Sequence, residues 1–132
     1  MAEVAVQVSF MPSEMQGSVP VFRPGEIIQG SIQVTPQADL NCRHFFARLR
    51  WHTEGRGDRD DGTAAEQDLY SGQLRGGVPF YQRFQFTAPD SPWSYSGHYV
   101  NIVWAVEASV DLPLAIDPRG EARFILAPDS RR

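Results

Sequence analysis

The residues of this 132-residue chain that could do chemistry are few and scattered. His44 and His52 stand eight positions apart, on the same side of an extended segment. The usual strand rise puts roughly 26 Å between them, too far to share a metal ion. His98 has no histidine or cysteine near it in sequence. Cys42 precedes Arg43 and His44, and neighbouring cations can lower a thiol's pKa. The same position reads more simply as a small, half-buried strand residue. No Gly-x-Ser-x-Gly elbow is present, and Gly55 and Gly57 are not followed by the Lys-Ser/Thr of a phosphate loop. These absences predict a non-enzyme without catalytic residues or cofactor.

Two clusters remain. Asp58, Asp60 and Asp61, followed by Gly62, offer the oxygens that calcium takes from sandwich loops. Their spacing misses the EF-hand pattern, and Arg56 and Arg59 offset part of the charge. No metal is assigned, and calcium or small-ligand binding through this loop stands as the alternative function. Arg56-Gly57-Asp58 spells an integrin tripeptide, read as chance. Arg48 and Arg50, with Phe46 in the same row, form a basic-aromatic strip on an acidic protein. Such a strip suits an acidic or phosphorylated protein partner, or else cross-strand pairs to Asp and Glu.

The elements that would carry these residues are strands. His98 to Pro113 alternates Val100, Ile102, Trp104, Val106, Ala108, Val110 and Leu112 with a mixed, increasingly polar set. A period of two over so long a run predicts a strand with one face in a core. Val4, Val6, Val8 and Phe10 alternate likewise, as do Phe45, Ala47, Leu49 and Trp51. Ile28, Ile32 and Val34 share a side with Gly30, which suggests a bulge or a close backbone approach. Phe80, Phe84 and Phe86 make another inward row, and Ala122, Phe124 and Leu126 the last. Pro24-Gly25 is a turn, since proline presets φ and glycine accepts a positive one. The polar run Glu54 to Gln67 is expected to be a mobile loop, with one helical turn over Ala64 to Gln67. Leu69 to Arg75, containing Gly72 and Leu74, is expected to be a weak edge strand. About seven short strands with Gly and Pro between them predict an all-β, two-sheet sandwich. It spans residues 1–127, with a solvated tail over 128–132.

Composition agrees. The hydrophobic fraction of 42% and the charged fraction of 21% are ordinary for a globular domain. The net charge of −4 argues against nucleic acid or an anionic membrane surface as partner. All twelve basic residues are arginine, which reads either as codon bias of a GC-rich genome or as planar forks suited to carboxylate or phosphate. One cysteine excludes an internal disulfide. Met1-Ala-Glu-Val lacks the basic and apolar regions of a signal peptide, and no run approaches a membrane span. These features place the chain in the cytoplasm.

Several runs resemble the arrestin superfamily. VFRPGEIIQGSIQV (Val21 to Val34) is similar to its Pro-Gly-Glu, apolar, Gly-x-apolar-x-Val signature. SPWSYSGHYVNIVWAVEASVDLP (Ser91 to Pro113) is similar to its Ser-Tyr-x-Gly loop and the strand that ends Val-x-Ala-x-apolar-Asp-x-Pro. FYQRFQF matches the family's strand of alternating phenylalanines. The resemblance runs from about Val4 to Leu126 and implies an immunoglobulin-like sandwich of the arrestin N-terminal kind, as in bacterial sporulation-control proteins. It implies a non-catalytic adaptor that binds other proteins. Family members usually carry two sandwiches and this chain has length for one, so receptor and clathrin functions do not carry over. The expected partner is another protein, or a second copy through an edge strand. The expected contact is the edge at Leu74 and the neighbouring loop, with Arg48, Arg50 and Phe46 giving selectivity.

Overall fold

The computed structural model describes residues 4–12, 14–56, 59–90, 95–96, 100–113 and 116–127. These form twelve strands in chain order: β1 (Val4–Phe10), β2 (Met15–Gln16), β3 (Val19–Phe22), β4 (Ile27–Pro36), β5 (Leu40–Cys42), β6 (His44–Gly55), β7 (Asp61–Asp68), β8 (Gly72–Leu74), β9 (Phe80–Thr87), β10 (Tyr95–Ser96), β11 (Val100–Asp111) and β12 (Arg119–Leu126). The smaller main sheet has the order β1-β4-β9. The larger has the order β2-β3-β12-β11-β6-β7, with β10 also paired to β11. A two-stranded ribbon, β5-β8, is hydrogen-bonded into neither. The chain is thus an all-β sandwich, as the alternating patterns predict.

The core forms where the apolar rows of the two sheets meet. Ile28, Ile32, Val34, Phe84 and Phe86 come from the small sheet; Phe45, Ala47, Leu49, Trp104, Val106, Ala108, Val110, Phe124 and Leu126 come from the large one. Trp104 is fully buried and its ring lies 6.0 Å from that of Phe124. Trp51, expected in the core, is half-buried and packs against its margin. Opposite it stands Gly62, where a Cβ would come within 2.6 Å of the indole nitrogen. Glycine there leaves room for the ring.

Two glycines let backbones approach closely. A Cβ at Gly30 would lie 1.9 Å from the Ser9 carbonyl oxygen, which explains a glycine in the middle of β4. A Cβ at Gly120 would lie 2.4 Å from the Val6 carbonyl oxygen, so β12 of the large sheet runs directly against β1 of the small one. The Pro24-Gly25 turn is as read: Gly25 has φ of +83°, and Glu26 N–H donates to the Arg23 carbonyl at 3.0 Å.

Three expectations need correction. Glu54 to Gln67 is not a loop: β6 runs to Gly55 and β7 occupies Asp61–Asp68. Ala64 to Gln67 is strand, not a helical turn. Leu69 to Arg75 does not edge a main sheet; within it only Gly72–Leu74 is strand, and it pairs with Leu40–Cys42. His98, Asp58 and the tail 128–132 lie outside the described residues. Among the described residues no helix is long and apolar enough to cross a membrane.

Candidate protein-interaction surface

β6 presents His44, Phe46, Arg48, Arg50 and His52 on the outer face of the large sheet, flanked by β7 on one side and β11 on the other. Register decides what each side chain meets. Arg48 is paired with Glu66 of β7 and with Glu107 of β11. Its Nε donates to Glu66, its Nη1 donates to Ser109 Oγ at 3.0 Å, and Glu107 lies 3.9 Å away. The guanidinium also lies over the Phe46 ring, 4.4 Å from its centroid. Arg50 donates to Thr63 Oγ1 at 2.8 Å and to Asp61 Oδ1 at 3.1 Å. The strip is therefore lined with its own carboxylates, the second of the two possibilities its sequence offered.

The pairing continues across the face. Arg43 meets Asp111, Arg119 meets Glu107 and Arg123 meets Glu54. His44 Nδ1 is 2.6 Å from Asp68, and its ring stacks on Phe46. His52 Nε2 is 2.8 Å from Glu54. Hydrogen bonds from His52 and Arg123 hold the Glu54 carboxyl below its usual range. The bond to His44, with backbone N–H groups of Phe45 and Tyr70, does the same for Asp68. Long arginine stems also cover the sheet: Ala105 and Ser109, on the outward row of β11, are buried. Between these chains lies a cleft of about 260 Å³, lined by side chains of both signs, among them Arg50, Arg119, Glu107 and Glu121.

The remaining sequence candidates fall elsewhere. Leu74, expected at an exposed edge, is 1% exposed and part of the core. It anchors the β5-β8 ribbon and is not available to a partner. Cys42 is buried, and its thiol donates to the His44 carbonyl at 3.0 Å. Burial first, then the charges of Asp68 and Asp111, push its pKa up to about 11. Arg43 and His44 do not activate it, because each is turned to a carboxylate. Of the aspartate run, Asp61 accepts from Arg50, and Asp60 Oδ1 accepts from the Asp61 N–H at 3.1 Å. Among the described residues no group of three or more His, Cys, Asp or Glu side chains converges as a metal ion would require.

Sequence reasoning missed an open edge, β7. Among the described residues it ends the large sheet and has a strand on one side only. A bulge between Leu49 and Arg50 shifts its register. Thr53 N–H donates to the Asp60 carbonyl, so the alternation of an antiparallel ladder turns the Thr63 N–H toward the open side. At the corner facing the small sheet, Gln67 Nε2 donates to the Gln85 carbonyl of β9 at 2.6 Å. The one signal in the sequence was the spacing of Asp61, Thr63, Glu66 and Asp68, polar partners for the outward row of β6.

Comparison with known proteins agrees with this architecture. No family model matches the sequence, and no curated protein matches it. Among solved structures, the chain is similar to the crystal structure of Spo0M, the sporulation control protein of Bacillus subtilis, with a TM-score of 0.69. The fold is an arrestin-like sandwich. Identity to Spo0M is 19%, over 95% of this chain and 49% of that one. The chain thus spans about half the length of that structure, and the likeness is one of fold.

Proposed function

We propose that this chain is a non-catalytic protein-binding module that receives an extended segment of a partner protein along β7. The observation that carries this reading is the open edge itself, eight residues long, with the Thr63 N–H directed outward. Arg48 and Arg50 hold Glu66 and Asp61 against the sheet, so the edge keeps its extended form and its local charge is balanced. Phe46 supports Arg48 from beside it. A partner adding as a strand draws affinity from main-chain bonds and selectivity from the charged row next to the edge. The alternative residues for chemistry support this reading too: the thiol of Cys42 is buried and His44 and His52 each face a carboxylate.

The test is capture of partners by tagged protein from the native cell, followed by two variants. Thr63→Pro removes an outward N–H and is tolerated on an edge. Arg50→Glu reverses charge beside it. Both are expected to stay folded and to lose the captured protein, with capture by the parent weakening as salt rises. Unchanged capture by folded Thr63→Pro protein refutes strand addition at β7.

A further inference from the structure

The outer face of the β1-β4-β9 sheet carries a chemistry unlike the rest of the surface. Register aligns Gln7 with Gln33 and Tyr81, Ser9 with Ser31 and Arg83, and Gln29 with Gln85. Among the described outward positions of these three strands there is no carboxylate, and Arg83 is the single charge. The face also collects three exposed large apolar side chains at or beside its strands: Met11, Ile27 and Tyr81. Depletion of charge at the centre, with aromatic and methionine side chains, is the compositional mark of an interface core.

We propose that this face is where two copies of the chain meet. Three features select a second copy over a foreign partner. The first is charge. Two molecules of net charge −4 repel each other, and this is the face on which no described carboxylate opposes its own image. The second is hydrogen bonding. A glutamine amide both donates and accepts, so Gln7, Gln29, Gln33 and Gln85 can pair with the same residues across a two-fold axis. Carboxylates and guanidinium groups cannot do this. The third is shape. Tyr81 projects, 61% exposed, and the same face holds a depression of about 450 Å³ bordered by Met11, Gln29, Gln67 and Arg83. A projection and a recess on one surface are what an isologous contact requires, each copy filling the other. At usual strand dimensions the face measures about 14 by 27 Å. That is about 380 Å² on each copy, below the size of standard stable interfaces, so the pair is expected to be weak and reversible.

This contact meets β7 only at Gln67, which borders the recess, and purified protein tests it alone. Sedimentation velocity from about 1 to 500 µM is expected to show a concentration-dependent passage from the 14.8 kDa monomer to a dimer. Raising salt should leave the dimer in place, because few charges meet. Ser31→Glu/Gln33→Glu sets carboxylates against carboxylates and should leave only monomer, with the thermal melt of dilute protein near that of the parent. Tyr81→Ala, at a highly exposed position that folding does not need, should weaken pairing at least about tenfold. Ala64→Glu, on the β7 edge, should not affect it. A parent that stays monomeric throughout overturns the proposal. So does a dimer that salt dissociates, one that survives both small-sheet changes, or one lost on Ala64→Glu.

Discussion

On the outer face of the large sheet, Arg48 touches Glu66, Glu107 and Ser109, and Arg50 touches Asp61 and Thr63. On the outer face of the small sheet, Gln33 donates to its neighbour Thr35 at 3.3 Å, and Gln7, Gln29 and Gln85 stand exposed. Both surfaces are polar and both back onto the same core, yet they have different consequences. A lattice of ion pairs is satisfied internally, and covering it would desolvate charges whose attraction barely offsets that cost. An amide and hydroxyl surface loses less on being covered, provided its partner offers amides in return. A row of arginines is thus a weaker pointer to a binding face than its charge suggests. What matters is whether the fold has already supplied the counter-charges.

The largest effect tests what the two faces share. Trp104→Ala removes a fully buried indole from the core and is expected to cost about 3–5 kcal/mol in urea unfolding. A variant that unfolds like the parent would show that the sheets do not pack through this ring. The seam between them comes next. Gly120→Ala forces a Cβ against the Val6 carbonyl, and a loss of about 1–3 kcal/mol is expected. If stability is unchanged, the contact of β12 with β1 is looser than the structure has it.

The faces themselves separate on smaller changes. Arg48→Ala strips the side-chain donor from the buried Ser109 hydroxyl, removes the Glu66 pair and leaves Glu107 to Arg119 alone, and is expected to cost about 1–2 kcal/mol. Gln33→Ala on the opposite face is expected to stay within about 0.5 kcal/mol of the parent. Equal losses would show that the ion-paired face and the amide face contribute alike to stability. The smallest effect is one of pH. Asp68 has its folded pKa lowered from 3.8, chiefly by the bond to His44. Its contribution is fully present above that value and is lost as the pH falls through the lower folded pKa. Melting temperature followed down from pH 6 should therefore drop less steeply below about pH 4 in Asp68→Asn protein than in the parent. A steeper drop in the variant would count against the pair.

Much of the architecture was legible because burial writes itself into alternation. Val100 to Asp111, His44 to Trp51 and Ile27 to Pro36 each keep one apolar side, and each is a strand. Gly30 announced a bulge or a close approach, of which the structure has the second, and Pro24-Gly25 announced a turn. The superfamily motifs pointed to the same sandwich. The interaction surface was less legible. Asp61–Asp68 reads DGTAAEQD, with one β-branched residue and no apolar row, so beyond the spacing of its polar residues its own sequence carries no strand signal.

The sequence by itself determined which side of each alternating strand faces the core, since that depends on neighbours one or two positions away. Only the tertiary structure decided which strand lies at the edge and which charges are spent. β7 is extended because β6 offers it a ladder, and β6 is itself held on its other side by β11. Arg48 is neutralised by Glu66 and Glu107, residues distant in sequence that register brings to one point. Hydrogen-bonded pairing and charge compensation are relations between distant segments, so periodicity within a segment cannot encode them. The same holds for Leu74, whose turn-rich surroundings suggested an exposed edge. Pairing with Leu40 carries it into the core.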